Sequence, residues 1–221
     1  MARLGKSFAS FLLFGASLYF ILNSCTDQRL TSTTAPTVEN KVTNDGTTVQ
    51  TAVPTFSSNV GAPIDRATGI RWMNNFANSN MGLASEYVVP VSILKSILGS
   101  TSCVGVVFYY AIDDLKELHI IPIGVDRAGK VIAWKSLTFG NTNINWQTAW
   151  QWINNYSGSP RSHFFGSQIL IATYLQVKNV RMSLALNDAG TAQLLLSDAD
   201  TATPLKYGDE SGSCPPFCAT N

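Results

Sequence analysis

Apolar positions along the chain fall into three regimes, and each predicts a different kind of structure. From Phe8 to Leu22 they form a nearly unbroken run of 15 residues. That is the length of a signal-peptide core and short of the ~20 residues that span a bilayer as a helix. From 26 to 60 apolar residues are sparse and aperiodic, set among Thr, Ser and Asn with Pro36, Gly46 and Pro54. Such a stretch buries too little surface to offset its ordering entropy, which predicts a disordered Thr-rich tether over 25–60 with a reach of roughly 30 Å. From 61 to 207 apolar residues recur at helix and strand spacing, predicting one folded body followed by a tail over 208–221.

Within the body the pattern repeats. Ile64-Asp65-Arg66-Ala67-Thr68-Gly69-Ile70-Arg71-Trp72-Met73-Asn74-Asn75-Phe76 aligns with Ile144-Asn145-Trp146-Gln147-Thr148-Ala149-Trp150-Gln151-Trp152-Ile153-Asn154-Asn155-Tyr156 at a constant offset of 80. Ile70, Met73 and Phe76 in the first copy, and Ala149, Trp152, Ile153 and Tyr156 in the second, lie at helical spacing. Asp65 and Asn145 are suited to cap these helices. Trp72 and Trp152 read as core anchors. The Asn-Asn pairs read as residues that tolerate a left-handed turn at a helix C-terminus. A second helix follows in each copy, with Ser92 and Ser167 as caps.

Two strands come next, Val106 to Asp114 matching Val180 to Asp188 at an offset of 74, then Ile120 to Asp126 matching Leu194 to Asp200. Asn187-Asp188 ahead of Gly190 is hairpin chemistry. Val131-Ile132-Ala133-Trp134 reads as a third strand special to the first copy, and Pro122 marks a strand edge or a bulge. The expected fold is α+β: a duplicated helix-helix-β-hairpin unit (62–135 and 142–205), with helices packed on one face of an antiparallel sheet.

The ends of the chain locate it. Arg3 and Lys6 precede the apolar run, and Leu22-Asn23-Ser24-Cys25 closes it. This arrangement resembles a bacterial lipoprotein signal over 1–24, in which Cys25 is lipidated and becomes the mature N-terminus. A plain secretory signal and an uncleaved anchor are the alternatives. The lipoprotein reading implies an exported, lipid-anchored envelope protein with the membrane as its first partner. Fifteen basic and fourteen acidic residues leave a net charge of +1, without the excess that grips nucleic acid.

Three segments carry a wider resemblance: Ser92-Ile93-Leu94 running into Cys103-Val104-Gly105-Val106-Val107-Phe108-Tyr109-Tyr110-Ala111-Ile112; Ile123-Gly124-Val125-Asp126-Arg127-Ala128-Gly129; and Cys214-Pro215-Pro216-Phe217-Cys218. The chain resembles a group of uncharacterised small lipoproteins and hypothetical proteins of Bacteroidetes with such a C-terminal tail. Those proteins often carry Arg where this chain has Val106. The resemblance implies a bacterial source and an exported location.

Candidate chemistry is sparse. The oxidising compartment allows Cys214 and Cys218 to pair, and the CxxxC spacing also admits metal or redox chemistry. Cys103 heads an apolar run and reads as an inert buried thiol. His119 and His163 are the two histidines, and neither sits in a G-x-S-x-G or H-E-x-x-H motif. Asp113-Asp114 and Asp198-Ala199-Asp200 read as turn residues, with Ca²⁺ binding as the alternative. Trp134, Trp146 and Trp150 are surplus to the repeat, and exposed they would stack on sugar rings or dock a partner. The sequence therefore favours a non-catalytic binding or assembly module at the envelope, with a glycan or an envelope protein as partner and no assigned cofactor or metal. The alternative is a redox or metal protein, or an enzyme, using Cys214 and Cys218.

Overall fold

The structure, a computed structural model, describes residues 41–42, 48–49, 55–79, 86–139, 142–202, 204, 206–209, 211–215 and 217–220. The signal, Cys25 and most of the tether lie outside the described residues. The chain divides into two units, 1–51 and 52–221. In the first unit β1 (Lys41–Val42) and β2 (Thr48–Val49) form an antiparallel pair within the segment expected to lack structure.

The second unit begins before residue 61. Phe56, placed in the tether on composition, is 4% exposed and packs edge-to-face on Phe164 and Phe217. There follow β3 (Ala62–Asp65), α1 (Arg66–Asn78), β4 (Glu86–Pro90), α2 (Val91–Leu98), β5 (Gly105–Ile112), β6 (Leu118–Val125) and β7 (Val131–Ala133). After the paired strands β8 (Leu137–Phe139) and β9 (Thr142–Ile144), the chain runs through α3 (Trp146–Asn155), β10 (Ser162–Gly166) and α4 (Ser167–Ile169). A π turn over Leu170–Tyr174 extends α4. Then come β11 (Asn179–Leu186), β12 (Ala192–Asp198), β13 (Lys206–Asp209) and β14 (Gly212–Cys214).

The fold is α+β with antiparallel pairing, as expected, but the strands form two five-stranded sheets rather than one. The first has the order β14-β10-β5-β6-β7, and the second β3-β13-β12-β11-β4. Strand β4, between α1 and α2, and strand β10, between α3 and α4, were missed by the sequence pattern, and they decide the topology. Strand β4 pairs with the distant β11 (Val89 opposite Val180), and β10 pairs with β5 (Phe165 opposite Val106). The tail is also no appendage, since β13 and β14 each join a sheet.

Alternating side chains set the layers. Val106, Phe108 and Tyr110 of β5 face Val180, Met182 and Leu184 of β11 across the main core, which α2 (Leu94, Ile97) and the α4 segment (Leu170, Tyr174) complete. The opposite face of β5 (Val107, Tyr109, Ala111) lies under α3 through Ala149, Trp152 and Ile153. The opposite face of the second sheet (Ala185, Leu195, Tyr207) lies under α1 through Trp72 and Met73. A strand buried on both faces needs no alternation, and β5 (GVVFYYAI) is buried throughout except at Ile112.

Local chemistry explains the element ends. Asp65 and Asn145 accept from the Thr68 and Thr148 backbone N–H groups at 2.9 Å each, capping α1 and α3 as predicted. The Thr68 N–H and hydroxyl hold the Asp65 carboxyl below its ordinary pKa. Ser92 and Ser167 do not cap: α2 and α4 start one or more residues earlier, on Pro90 and Gly166, with no side-chain cap. Strand β7 reaches only Gly124 and Val125 of β6, with a bulge between them, so Pro122 pairs with Phe108 of β5 on one side and meets no β7 residue on the other, where its missing N–H costs no ladder bond. The Asn-Asn pairs adopt no left-handed turn. Instead Asn75 Nδ2 donates to the Leu186 carbonyl at 3.2 Å and Asn155 Nδ2 to the Ile112 carbonyl at 3.1 Å. Helix α1 is thereby tied to the end of β11, and α3 to the end of β5.

Candidate functional site

The tryptophans singled out in the sequence come together. Trp146 and Trp150, one turn apart on α3, stack with ring centroids 5.4 Å apart and planes 25° off parallel. Trp134, just past β7, meets Trp146 edge-to-face at 5.3 Å. Trp150 in turn meets Tyr109 of β5 edge-to-face at 6.0 Å. All four rings belong to the layer over the first sheet, and the three indoles stay partly exposed. Helical spacing puts residues 146 and 150 on one stripe, while Ala149, Trp152 and Ile153 form the buried stripe beside it. An open groove of about 330 Å³ runs between β7 and α3, lined by Val131, Ile132, Ala133, Trp134 and Trp146. Sequence reasoning missed Tyr109 and the groove. The signal for Tyr109 was its place on the same face of β5 as Val107 and Ala111, the face that α3 covers.

The C-terminal cysteines form a disulfide, Cys214 with Cys218, Cα atoms 4.9 Å apart. Cys214 is buried at the end of β14. The loop between them delivers Phe217, which stacks on Phe164 with centroids 6.1 Å apart. Beyond it the Ala219 N–H donates to the Tyr109 hydroxyl at 3.0 Å, and Thr220 bridges to Lys130 beside β7. Cys103 is free and partly buried, and burial pushes its thiol pKa up.

Asp113, Glu117 and His119 are the described residues with the composition of a metal-ligand set, their candidate atoms within 4.8 Å of one another. Asp113 Oδ1 accepts from the Leu115 and Glu117 N–H groups at 2.8 Å each, and Oδ2 lies 3.0 Å from His119 Nε2. Burial alone would raise the Asp113 carboxyl pKa, but the bonds from His119 and the backbone outweigh it and hold the value low. Asn187, at the matching place in the second hairpin, accepts from the Ala189 and Thr191 N–H groups in the same way. The Asp113 turn thus serves the hairpin, as the turn reading expected. The His119 ring also stacks on Trp152 at 5.3 Å.

His163, expected in a loop, lies on β10 inside the main core, its Nδ1 2.8 Å from Ser211 Oγ. Burial lowers its pKa to about 4. A cavity of about 370 Å³ opens between β4, β6 and β8, walled by Tyr87, Val89, Ile93, His119, Leu137 and Met182. Burial pushes the Tyr87 phenol pKa up to about 12. Comparison with family models, with curated proteins and with solved structures finds no match to this chain.

Proposed function

We propose that the chain is a lipid-anchored envelope protein, exported and tethered through Cys25, whose body is a non-catalytic binding module. Its contact surface is the face of Trp134, Trp146 and Trp150, and its partner is an envelope glycan. The carrying observation is the gathering of three partly exposed indoles on the outside of the layer that Ala149, Trp152 and Ile153 fill, with Trp134 and Trp146 lining an open groove. Indole faces offer flat apolar area at low conformational cost with a polar N–H at the rim, which suits pyranose rings. The resemblance to Bacteroidetes lipoproteins supports the same placement.

The body is a duplicated unit in this reading. Supporting it are the two Asn-to-carbonyl ties, the matched turn bonds of Asp113 and Asn187, and the reciprocal pairing of β4 and β10. A cavity of about 210 Å³ is lined by both members of three aligned pairs: Phe76 with Tyr156, Tyr110 with Leu184, and Leu118 with Ala192. The Cys214–Cys218 pair is structural, since Cys214 is buried and the loop seats Phe217 in the core.

Two measurements test the reading. Cys25→Ala should move the protein from the membrane fraction to the soluble fraction, and continued membrane retention would end the anchor argument. Co-sedimentation with insoluble envelope polysaccharide should fall sharply for Trp146→Ala/Trp150→Ala, assayed well below the variant's own melting temperature because both indoles also pack on the core. Undiminished sedimentation would remove the tryptophan face as the contact surface.

A further inference from the structure

The segment that supplies both walls of the groove, β7 and α3, is one-sided in charge along the sequence. Between Arg127 and Asn187 the chain carries six Lys or Arg residues and no Asp or Glu. Three of the six, Arg127, Lys130 and Lys135, flank β7 in sequence and are exposed. Among the described residues none of the three forms an ion pair. The nearest acid along the chain, Asp126, is engaged in its own turn, Oδ1 accepting from the Ala128 and Lys130 N–H groups at 2.9 Å each. Trp146 opens α3, so the positive end of that helix also lies at the groove wall. Balanced overall charge hides this segregation, because the acids are concentrated elsewhere in the chain.

We infer that the groove binds an acidic glycan, a linear polymer of the polyuronate type. Its sugar faces rest on Trp134 and Trp146, and its carboxylates meet Lys130 and Lys135. This rests on the tryptophan face being the contact surface and adds the ligand's charge class. Aromatic area supplies most of the affinity, while exposed ammonium groups supply selection among glycans and dependence on salt.

The test is calorimetric titration of the full-length protein with oligogalacturonate and with a neutral cello-oligosaccharide of equal length, at low and high salt. Oligogalacturonate should bind more tightly, and high salt should weaken it while leaving the neutral sugar unchanged. Lys130→Gln/Lys135→Gln should weaken oligogalacturonate roughly tenfold. Trp134→Ala should weaken both ligands. Equal binding of the two sugars, with a loss only in Trp134→Ala, overturns the acidic-glycan inference and leaves the tryptophan reading standing. No loss in either variant overturns both. Binding of a single-stranded oligonucleotide as tightly as oligogalacturonate also overturns it, since aromatic and basic surfaces suit nucleic acid as well.

Discussion

Acid should destabilise this protein well above the range where carboxylates titrate, and His163 is the reason. The side chain is 0% exposed, held on the inner face of β10 with its ring edge-to-face against Tyr110. Among the described residues its buried Nε2 has no partner, so a proton there would be an uncompensated charge in the core. Burial lowers the folded pKa to about 4, against about 6.5 in an unfolded chain. Between those values the unfolded chain binds more protons than the folded one, so stability falls as pH falls. It is level above about pH 6.5, has lost about 2 kcal/mol at pH 5, and approaches a loss of about 3 kcal/mol near pH 4. For a body of this size, 2 kcal/mol corresponds to a drop of about 4–8 °C in Tm. Urea unfolding at pH 7 and pH 5, on wild type and His163→Gln, isolates the effect. The variant can be less stable at both pH values, but its stability should change less between them. Carboxylates held low, such as Asp113 and Asp188, remain charged at pH 5 in both proteins and cancel. Coincident pH dependence in the two proteins would refute the reasoning.

Two further perturbations probe the framework. Cys214→Ala/Cys218→Ala should cost about 2 kcal/mol by loop entropy alone, because the closed loop is short; a chemical melt showing no loss would mean that the disulfide does not secure Phe217. Asn75→Ala and Asn155→Ala should each cost about 1 kcal/mol for the lost bond to a strand carbonyl. Their effects should add, since the two ties are separate; if either variant is neutral by denaturant midpoint, that tie does not hold its helix.

The legible parts of this fold are those whose chemistry is local. Asp65 and Asn145 announce their helices because a cap needs only the next three residues. The two long hairpins show because Asp113 and Asn187 close their turns within a few positions. What stayed hidden is set by partners distant in sequence. Strand β4 (EYVVP) and strand β10 (SHFFG) are five residues each and show no clean alternation, and neither has a local partner. Without them the two hairpins appear to share one sheet. The Asn pairs were visible as a repeat but misread, because a bond to Leu186 or Ile112 leaves no local trace. At the candidate site the tryptophans could be picked out as surplus. Their meeting with Tyr109 depends on α3 crossing β5, which only the assembled layers provide.

The crossing of β4 and β10 also bears on how the molecule is made. A chain emerging from its N-terminus presents β5 and β6 while β10 has yet to appear, so one side of that young hairpin waits unpaired. Strand β4 waits likewise for β11. Neither sheet can be completed by local strands, and the last contacts to close are distant in sequence, which makes for slow assembly. During the delay the open edges can accept the matching strand of a neighbouring molecule as readily as their own. Crowded expression should therefore yield interlocked dimers, each holding two complete sets of the same contacts.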